Sequence, residues 1–163
     1  MNQAVKSKIL DVARNKFFTF GIKGVTMDEI ASDAGIGKAT LYENFSSKNI
    51  LVQEVINEKI LEMETYLNTI TTSLKEDEEL DLIKTIRALI DFGNKELKEM
   101  KEPFLAEIRK NFFPVSEKLQ YSSLIRSIIT ELVTRGMKDH IFRTDCNIHI
   151  IIDTIIIIVE NII

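Results

Sequence analysis

Five polar side chains are concentrated in one short segment of the chain. They are Lys38, Thr40, Tyr42, Asn44 and Lys48. Lysine binds phosphate oxygens through its charge, whereas hydroxyl and amide groups form hydrogen bonds with phosphates or with the edges of bases. Elsewhere the sequence offers no nucleophile with a base, no paired metal motif and no glycine-rich phosphate loop, so we expect binding and not catalysis.

The spacing of these residues predicts a short helix from about Lys38 to Asn44, with Leu41 directed to the core. A second short helix precedes it. Thr26 and Glu29 have the spacing of a capping box, which predicts a helix start there and a helix that runs to Ala34. Two short helices joined by a glycine-containing turn describe a helix-turn-helix, whose second helix enters the major groove of DNA.

Apolar residues at spacings of three and four predict helices along the rest of the chain. Glycine and proline are too scarce for an all-β fold, with six and two residues respectively. The further helices are expected at about 3–20, 47–72, 80–101, 104–112 and 115–138, with a last helix that Asp145 or Asn147 caps. The prediction is an all-α chain with a three-helix DNA-binding head in residues 1–47 and a helical body in residues 48–163.

The net charge of −4 conceals an asymmetry along the chain. Residues 1–48 carry seven basic and five acidic side chains, and the remainder is acidic. The single cysteine and the absence of a signal-like start favour the cytoplasm. The apolar run from Ile148 is short for a membrane span and is interrupted by Asp153, so we expect no membrane association. His140, His149 and Cys146 lack the spacing of a metal site, and no metal or cofactor is expected.

The front of the chain resembles the TetR family of transcriptional regulators. The resemblance covers roughly residues 5–56 and rests on Phe17-x-x-x-Gly21, Thr26-Met27-Asp28-Glu29-Ile30-Ala31, Ala34-Gly35-Ile36-Gly37-Lys38-Ala39-Thr40-Leu41-Tyr42, Phe45 and Lys48. It implies a homodimer that binds a double-stranded operator and that a small molecule releases from DNA.

The resemblance also implies roles for single residues in DNA binding. Thr26, Tyr42 and Lys48 would contact phosphates, and the groove-facing residues would be Lys38, Ala39, Thr40 and Asn44. Family members often have Ser or Thr at the position of Gly37, as the cap of the second helix. Glycine is a tolerated cap, but the hydroxyl contact to DNA is lost here.

The last helix is apolar around most of its surface, and such a helix must be buried. In the family the last two long helices pair with their copies, whereas only one helix follows His140 here, so either the chain is shortened or its dimer uses other helices. We expect the last helix to form much of the homodimer interface, through Ile151, Ile155, Ile158 and Ile162.

Aromatic and sulfur-containing residues surround the two prolines and are candidates for a pocket. They are Phe92, Met100, Phe104, Phe112, Phe113 and Tyr121. Each could equally be ordinary core. The expected function is a repressor that a small apolar effector releases from its operator. The alternatives are a DNA-binding regulator without such an effector, controlled by a protein partner, and an interaction module that no longer binds DNA.

Overall fold

The computed structural model describes the backbone of residues 3–77, 79–111 and 115–162, and their side chains except those of residues 109, 111, 115–122 and 158–162. Within these ranges the chain is helical and contains no strand. The helices are α1 (Gln3–Phe20), α2 (Met27–Asp33), α3 (Lys38–Asn44), α4 (Lys48–Glu76), α5 (Leu82–Glu99), α6 (Glu102–Asn111), α7 (Val115–Lys138) and α8 (Ile148–Ile162). The predicted all-α fold is therefore confirmed.

The chain divides into two compact units. The first comprises Met1–Leu61 and Gly93–Phe113, and the second comprises Glu62–Phe92 and Pro114–Ile163. The segment 1–47, predicted to bind DNA, lies within the first unit.

The first unit is built around the apolar side of α1. Ile9, Ala13 and Phe17 on this helix have no solvent-accessible surface. They share one cluster with buried residues of α2, α3, α4 and α6. The ring of Phe104 on α6 lies 4.6 Å from that of Phe18, measured between centroids. A single core therefore holds the helix-turn-helix and α6 together.

The end of α1 shows how closely α6 approaches it. Gly21 has a φ of +77°, a conformation that favours glycine, and its amide donates to the Phe17 carbonyl at 2.9 Å. A Cβ atom at Gly21 would lie only 3.1 Å from the Cβ of Pro103. Beyond it, the Ile22 amide donates to the Glu107 carboxylate at 2.7 Å. The turn after α1 is thus held by α6.

The second unit contains two smaller clusters. One groups buried residues of α4, α5 and α7 around Leu67, Leu82 and Ile128. The other joins α7 to α8 through Ile129 and Ile152, with further residues of both helices.

Three helix limits differ from those predicted. Helix α4 extends to Glu76 instead of ending near residue 72, and the guanidinium of Arg135 donates at 2.9 Å to the carbonyl groups of Leu74 and Asp77 at its end. Helix α5 begins later, at Leu82, after Asp81 accepts a hydrogen bond from the Lys84 amide. Helix α6 begins at Glu102 and so includes Pro103, which is tolerated in a first turn because its missing N–H would have no partner there.

Candidate nucleic-acid interface

The start of α2 is fixed by the capping box that the sequence predicts. The Glu29 amide donates to the Thr26 hydroxyl at 3.2 Å, and the Glu29 carboxylate accepts from the Thr26 amide at 2.7 Å and from its hydroxyl at 2.8 Å. Hydrogen bonds from the Thr26 amide and then from its hydroxyl hold the pKa of Glu29 below its usual value. Both side chains are exposed, so the cap lies on the surface.

A tight turn joins α2 to α3. Gly35 adopts a φ of +62°, and the Ile36 amide donates to the Ala31 carbonyl at 3.0 Å. Gly37 is the N-cap of α3 and forms no side-chain cap hydrogen bond. A Cβ atom added at Gly37 would meet no atom of the described residues within 4 Å, so the position has room for a side chain.

Helix α3 turns one side inward and the other outward. Leu41 is fully buried, and Phe45 just beyond the helix is 1% exposed. Lys38, Ala39 and Tyr42 are exposed. Thr40 is half-buried. The structure therefore groups the predicted contact residues at the N-terminal part of α3 on the side away from the core.

Asn44 is more constrained than its neighbours. Its side-chain nitrogen donates to the Thr40 carbonyl at 2.8 Å. Its side-chain oxygen is buried and accepts no hydrogen bond from the residues that the structure describes. The side-chain amide of Asn44 is thus oriented by its own helix, and its oxygen is a buried acceptor.

The two lysines of the predicted interface both have protein partners. The ammonium group of Lys38 lies 2.5 Å from the carboxylate of Asp28. The ammonium group of Lys48 donates to the carbonyl oxygen of Val25, the residue before the cap of α2. Burial lowers the pKa of Lys48, and the nearby charges of Glu107 and Glu29 oppose this shift only in part.

Other basic residues of the first unit are also paired. Lys6 and Arg14 on α1 pair with Glu54 and Glu58 on α4, at 3.3 and 3.0 Å. Lys16 pairs with Asp33 at 2.7 Å. Neither these pairs nor the roles of Asp28 and Glu107 could be predicted from the sequence. The partners are 10 to 85 positions apart in the chain, so no local spacing indicates them.

The candidate pocket residues fall in different places. Phe104 is 1% exposed in the core of the first unit, and Met100 packs against the same cluster. In the second unit Phe92 stacks on Tyr66 with ring centroids 4.0 Å apart. Three further candidates lie outside the described residues or side chains: Phe112, Phe113 and Tyr121.

The candidate interface residues on α8 are described only in part. Ile151 and Ile155 are half-buried and pack against the cluster that joins α7 to α8. The side chains of Ile158 and Ile162 lie outside those described. Two other isoleucines of α8 are largely exposed, Ile150 at 65% and Ile157 at 59%.

The described residues contain no group of three or more metal-binding side chains of the His, Cys, Asp and Glu types. None of their helices combines the length and apolar character that crossing a membrane requires.

Comparisons with known proteins agree with this geometry. Residues 9–55 match the family model described as bacterial regulatory proteins of the tetR family. The chain is 40% identical over 58 residues to the HTH-type transcriptional regulator YhgD of Bacillus subtilis, a match that covers 36% of this chain and 30% of that protein. It is 24% identical over 150 residues to the HTH-type transcriptional repressor KstR2 of Rhodococcus jostii, covering 89% of this chain and 71% of the relative.

Solved structures show the same fold beyond the head. The ketosteroid transcriptional regulator KstR2 of Mycobacterium tuberculosis superposes with a TM-score of 0.65 at 18% identity, over 95% of this chain and 79% of that one. A TetR-family regulator from Agrobacterium tumefaciens gives a TM-score of 0.60 at 20% identity, over 85% and 74%. The helix-turn-helix segment, residues 9–55, therefore matches the tetR family of bacterial regulatory proteins, and the chain shares the fold of these solved regulators.

Proposed function

We propose that this chain is a repressor that binds a double-stranded operator as a homodimer, with residues 1–47 as its DNA-binding domain and residues 48–163 as its ligand-binding and dimerisation domain. The observation that carries the proposal is the orientation of α3. Leu41 anchors the helix in the core, and Lys38, Ala39 and Tyr42 remain exposed on its other side. The N-terminal residues of the second helix contact base edges when a helix-turn-helix docks in the major groove.

The bonds within the head leave its polar groups able to contact DNA. An ammonium group has three protons, so the bond from Lys48 to the Val25 carbonyl leaves donors for a phosphate. The nitrogen of the Asn44 side chain keeps one proton for an acceptor on a base edge or a phosphate, whereas its oxygen is buried. Thr40 offers a hydroxyl and a methyl group to bases, and the exposed Tyr42 offers a hydroxyl to a phosphate.

Selection of duplexes from a random library tests DNA binding directly. We expect enriched sequences with two symmetric half-sites, because one short helix contacts few base pairs and two heads about 34–36 Å apart reach successive major grooves. Affinity should fall steeply with salt concentration. Failure to retain any duplex at low salt, or full-affinity protection of a single half-site by a monomer, would contradict the proposal.

Two substitutions separate the roles within the head. Thr40→Ala should relax base preference within the half-site, because it removes a base contact. Lys48→Ala should weaken binding to selected and random duplexes alike and reduce the salt slope by about 1 per subunit, because it removes a phosphate contact. A change of base preference in Lys48→Ala would show that its role is wrongly assigned.

The dimer is proposed from the exposed side of α8. Ile150 and Ile157 are seven positions apart, two turns of a helix, and both are largely exposed. An isologous copy is the commonest way to cover such a surface. The double change Ile150→Asp, Ile157→Asp should dissociate the dimer in sedimentation and lower operator affinity. The control is the double change Ile83→Asp, Ile90→Asp on α5, which adds the same two charges at two other exposed isoleucines. A double variant that stays dimeric would place the interface elsewhere.

The effector is proposed to be a small apolar molecule bound by the helical body. Ligand sites of this kind are mostly apolar with few polar groups, and Phe92, stacked on Tyr66 and half-buried, is the candidate with a described and partly accessible ring. A panel of apolar compounds should include members that release the operator from the wild-type protein. Phe92→Ala should reduce this release while its operator affinity stays unchanged. Release only by a protein partner would favour the alternative form of regulation.

A further inference from the structure

The ion pair between α2 and α3 involves a side chain that the proposed function assigns to DNA. Lys38 is the first residue of α3, and Asp28 lies in the first turn of α2. Their charged atoms are 2.5 Å apart, and the side chains are 66% and 59% exposed. A phosphate approaching the start of α3 would therefore meet a lysine that already has a carboxylate partner.

We infer that Asp28 competes with DNA for Lys38 and so limits the affinity of the head for DNA. This inference rests on the proposed function. An exposed ion pair is weak because water and salt screen both charges, so a phosphate can displace the carboxylate. After displacement Asp28 remains close to the phosphate and repels it. Binding therefore replaces one charge contact by another and leaves an unpaired carboxylate near the DNA.

The same competition changes the salt dependence. A lysine that neutralises a phosphate releases a condensed counterion from DNA, which is the source of the salt slope. When Lys38 leaves Asp28, the carboxylate is free to attract a cation, and this uptake offsets the release. Without the carboxylate the full release should be observed, and the salt slope should grow by about 0.9 per subunit.

Helix α2 also supplies a matched control. Asp33, at its other end, pairs with Lys16 at 2.7 Å. Lys16 lies on α1, and its side chain is only 20% exposed, so it is not among the proposed DNA contacts. Asp33→Asn removes the same unit of charge from the same helix and leaves Lys38 paired. It measures the general effect of net charge on DNA binding.

The test uses the full chain with Asp28→Asn, Asp33→Asn, Lys38→Ala and the double variant of positions 28 and 38. The probes are a random-sequence duplex and the duplex that the wild-type protein selects. We expect Asp28→Asn to bind both probes more tightly, on the order of fivefold for a dimer at low salt, and Asp33→Asn to change affinity by less than about twofold. On the Lys38→Ala background the gain from Asp28→Asn should be smaller than on the wild-type background, because only the repulsion between Asp28 and the phosphate is then removed. Because Asp28 also stabilises the start of α2, Asp28→Ser serves as a second neutral variant and should reproduce the gain.

The possible outcomes separate this inference from the proposed function. Equal gains in Asp28→Asn and Asp33→Asn, or a gain from Asp28→Asn that is as large without Lys38 as with it, would overturn the competition while DNA binding stands. A wild-type protein that binds neither probe in a salt-dependent way would overturn the proposed function and the competition together.

Discussion

Helices α1 and α8 are both rich in apolar residues at helical spacing, yet the structure covers them differently. On α1, Ile9 and Phe17 have no accessible surface. On α8, Ile152 and Ile156 are 5% and 3% exposed, whereas Ile150 remains 65% exposed. The first unit thus buries the apolar side of its N-terminal helix, whereas Ile150 and Ile157 on α8 remain exposed in the second unit.

Two ion pairs show the same contrast between a buried and an exposed contact. In the first unit Lys59 and Glu96 are each 6% exposed, and their charged atoms lie 2.5 Å apart. In the second unit Arg126 on α7 pairs with Asp153 on α8 at 2.9 Å, with side chains 54% and 58% exposed. The energetic weight of an ion pair should therefore depend on its burial.

The largest effect on stability is expected from a substitution on the buried side of α1. Phe17→Ala should lower the free energy of unfolding by about 3–5 kcal/mol, because it leaves a cavity in a fully buried cluster. Ile150→Ala on α8 should change the stability of a dissociated chain by no more than about 0.5 kcal/mol. Urea unfolding at low protein concentration measures both. Equal losses would show that α8 is covered by its own chain.

A slightly smaller loss of stability is expected when the buried ion pair between Lys59 and Glu96 is broken. Burial alone would lower the pKa of Lys59, but hydrogen bonds to Glu96 and Glu99 outweigh it and raise the pKa above its usual value. Lys59→Met leaves the Glu96 carboxylate buried without its cation, and should cost about 3 kcal/mol. The raised pKa means that the contribution of Lys59 is complete at neutral pH and is lost only as the pH rises through that value.

The double change Lys59→Met, Glu96→Leu is the control for the buried pair. Since it removes both charges, it should recover much of the stability that Lys59→Met loses. A double variant as unstable as the single one would indicate that packing, and not an uncompensated charge, causes the loss.

The capping box of α2 should contribute about 1 kcal/mol, which Thr26→Ala would remove. Because the pKa of Glu29 is lowered on folding, the contribution of its carboxylate is present above pH 4.5, its ordinary pKa, and is lost as the pH falls through the lowered value. Thr26→Ala removes the hydroxyl that donates to this carboxylate and keeps the amide, so it should reduce the acid sensitivity of the head in part. The measurement is urea unfolding at neutral pH and at about pH 3.

Asn147 caps the start of α8 and serves as the comparison for the capping box of α2. Its side chain is neutral and accepts from the His149 amide at 3.0 Å. Asn147→Ala should lower stability by a similar amount at both pH values, because an amide does not titrate. An identical loss of acid sensitivity in both variants would contradict the role of Glu29.

The smallest effect on stability is expected from the exposed ion pair between Arg126 on α7 and Asp153 on α8. Arg126→Ala should change the free energy of unfolding by about 0.5 kcal/mol or less, and high salt should abolish the difference. A loss as large as that of Lys59→Met would mean that this pair is buried in solution, as it would be inside a dimer interface.

Much of the head could be predicted from the sequence because its signals are local. Thr26 and Glu29 form the capping box that their spacing indicates, Gly35 has the positive φ of a helix end, and Leu41 is buried. Farther along the chain, Asn147 caps α8 as one of two predicted candidates. The predicted end of α4 was four residues too early, because the side chain of Arg135, which caps this end, lies 61 positions farther along the chain than Leu74.

The sequence by itself determined the positions of the helices in the head, the side of α3 that faces the core, and the family that residues 9–55 match. These depend on hydrogen bonds and apolar spacing within a few residues, which the order of amino acids specifies directly. Only the tertiary structure decided that Asp28 neutralises Lys38, that Lys48 holds the Val25 carbonyl and that Glu107 holds the Ile22 amide. Each of these contacts joins separate helices or turns, so it exists only once the core has brought those elements within hydrogen-bond distance.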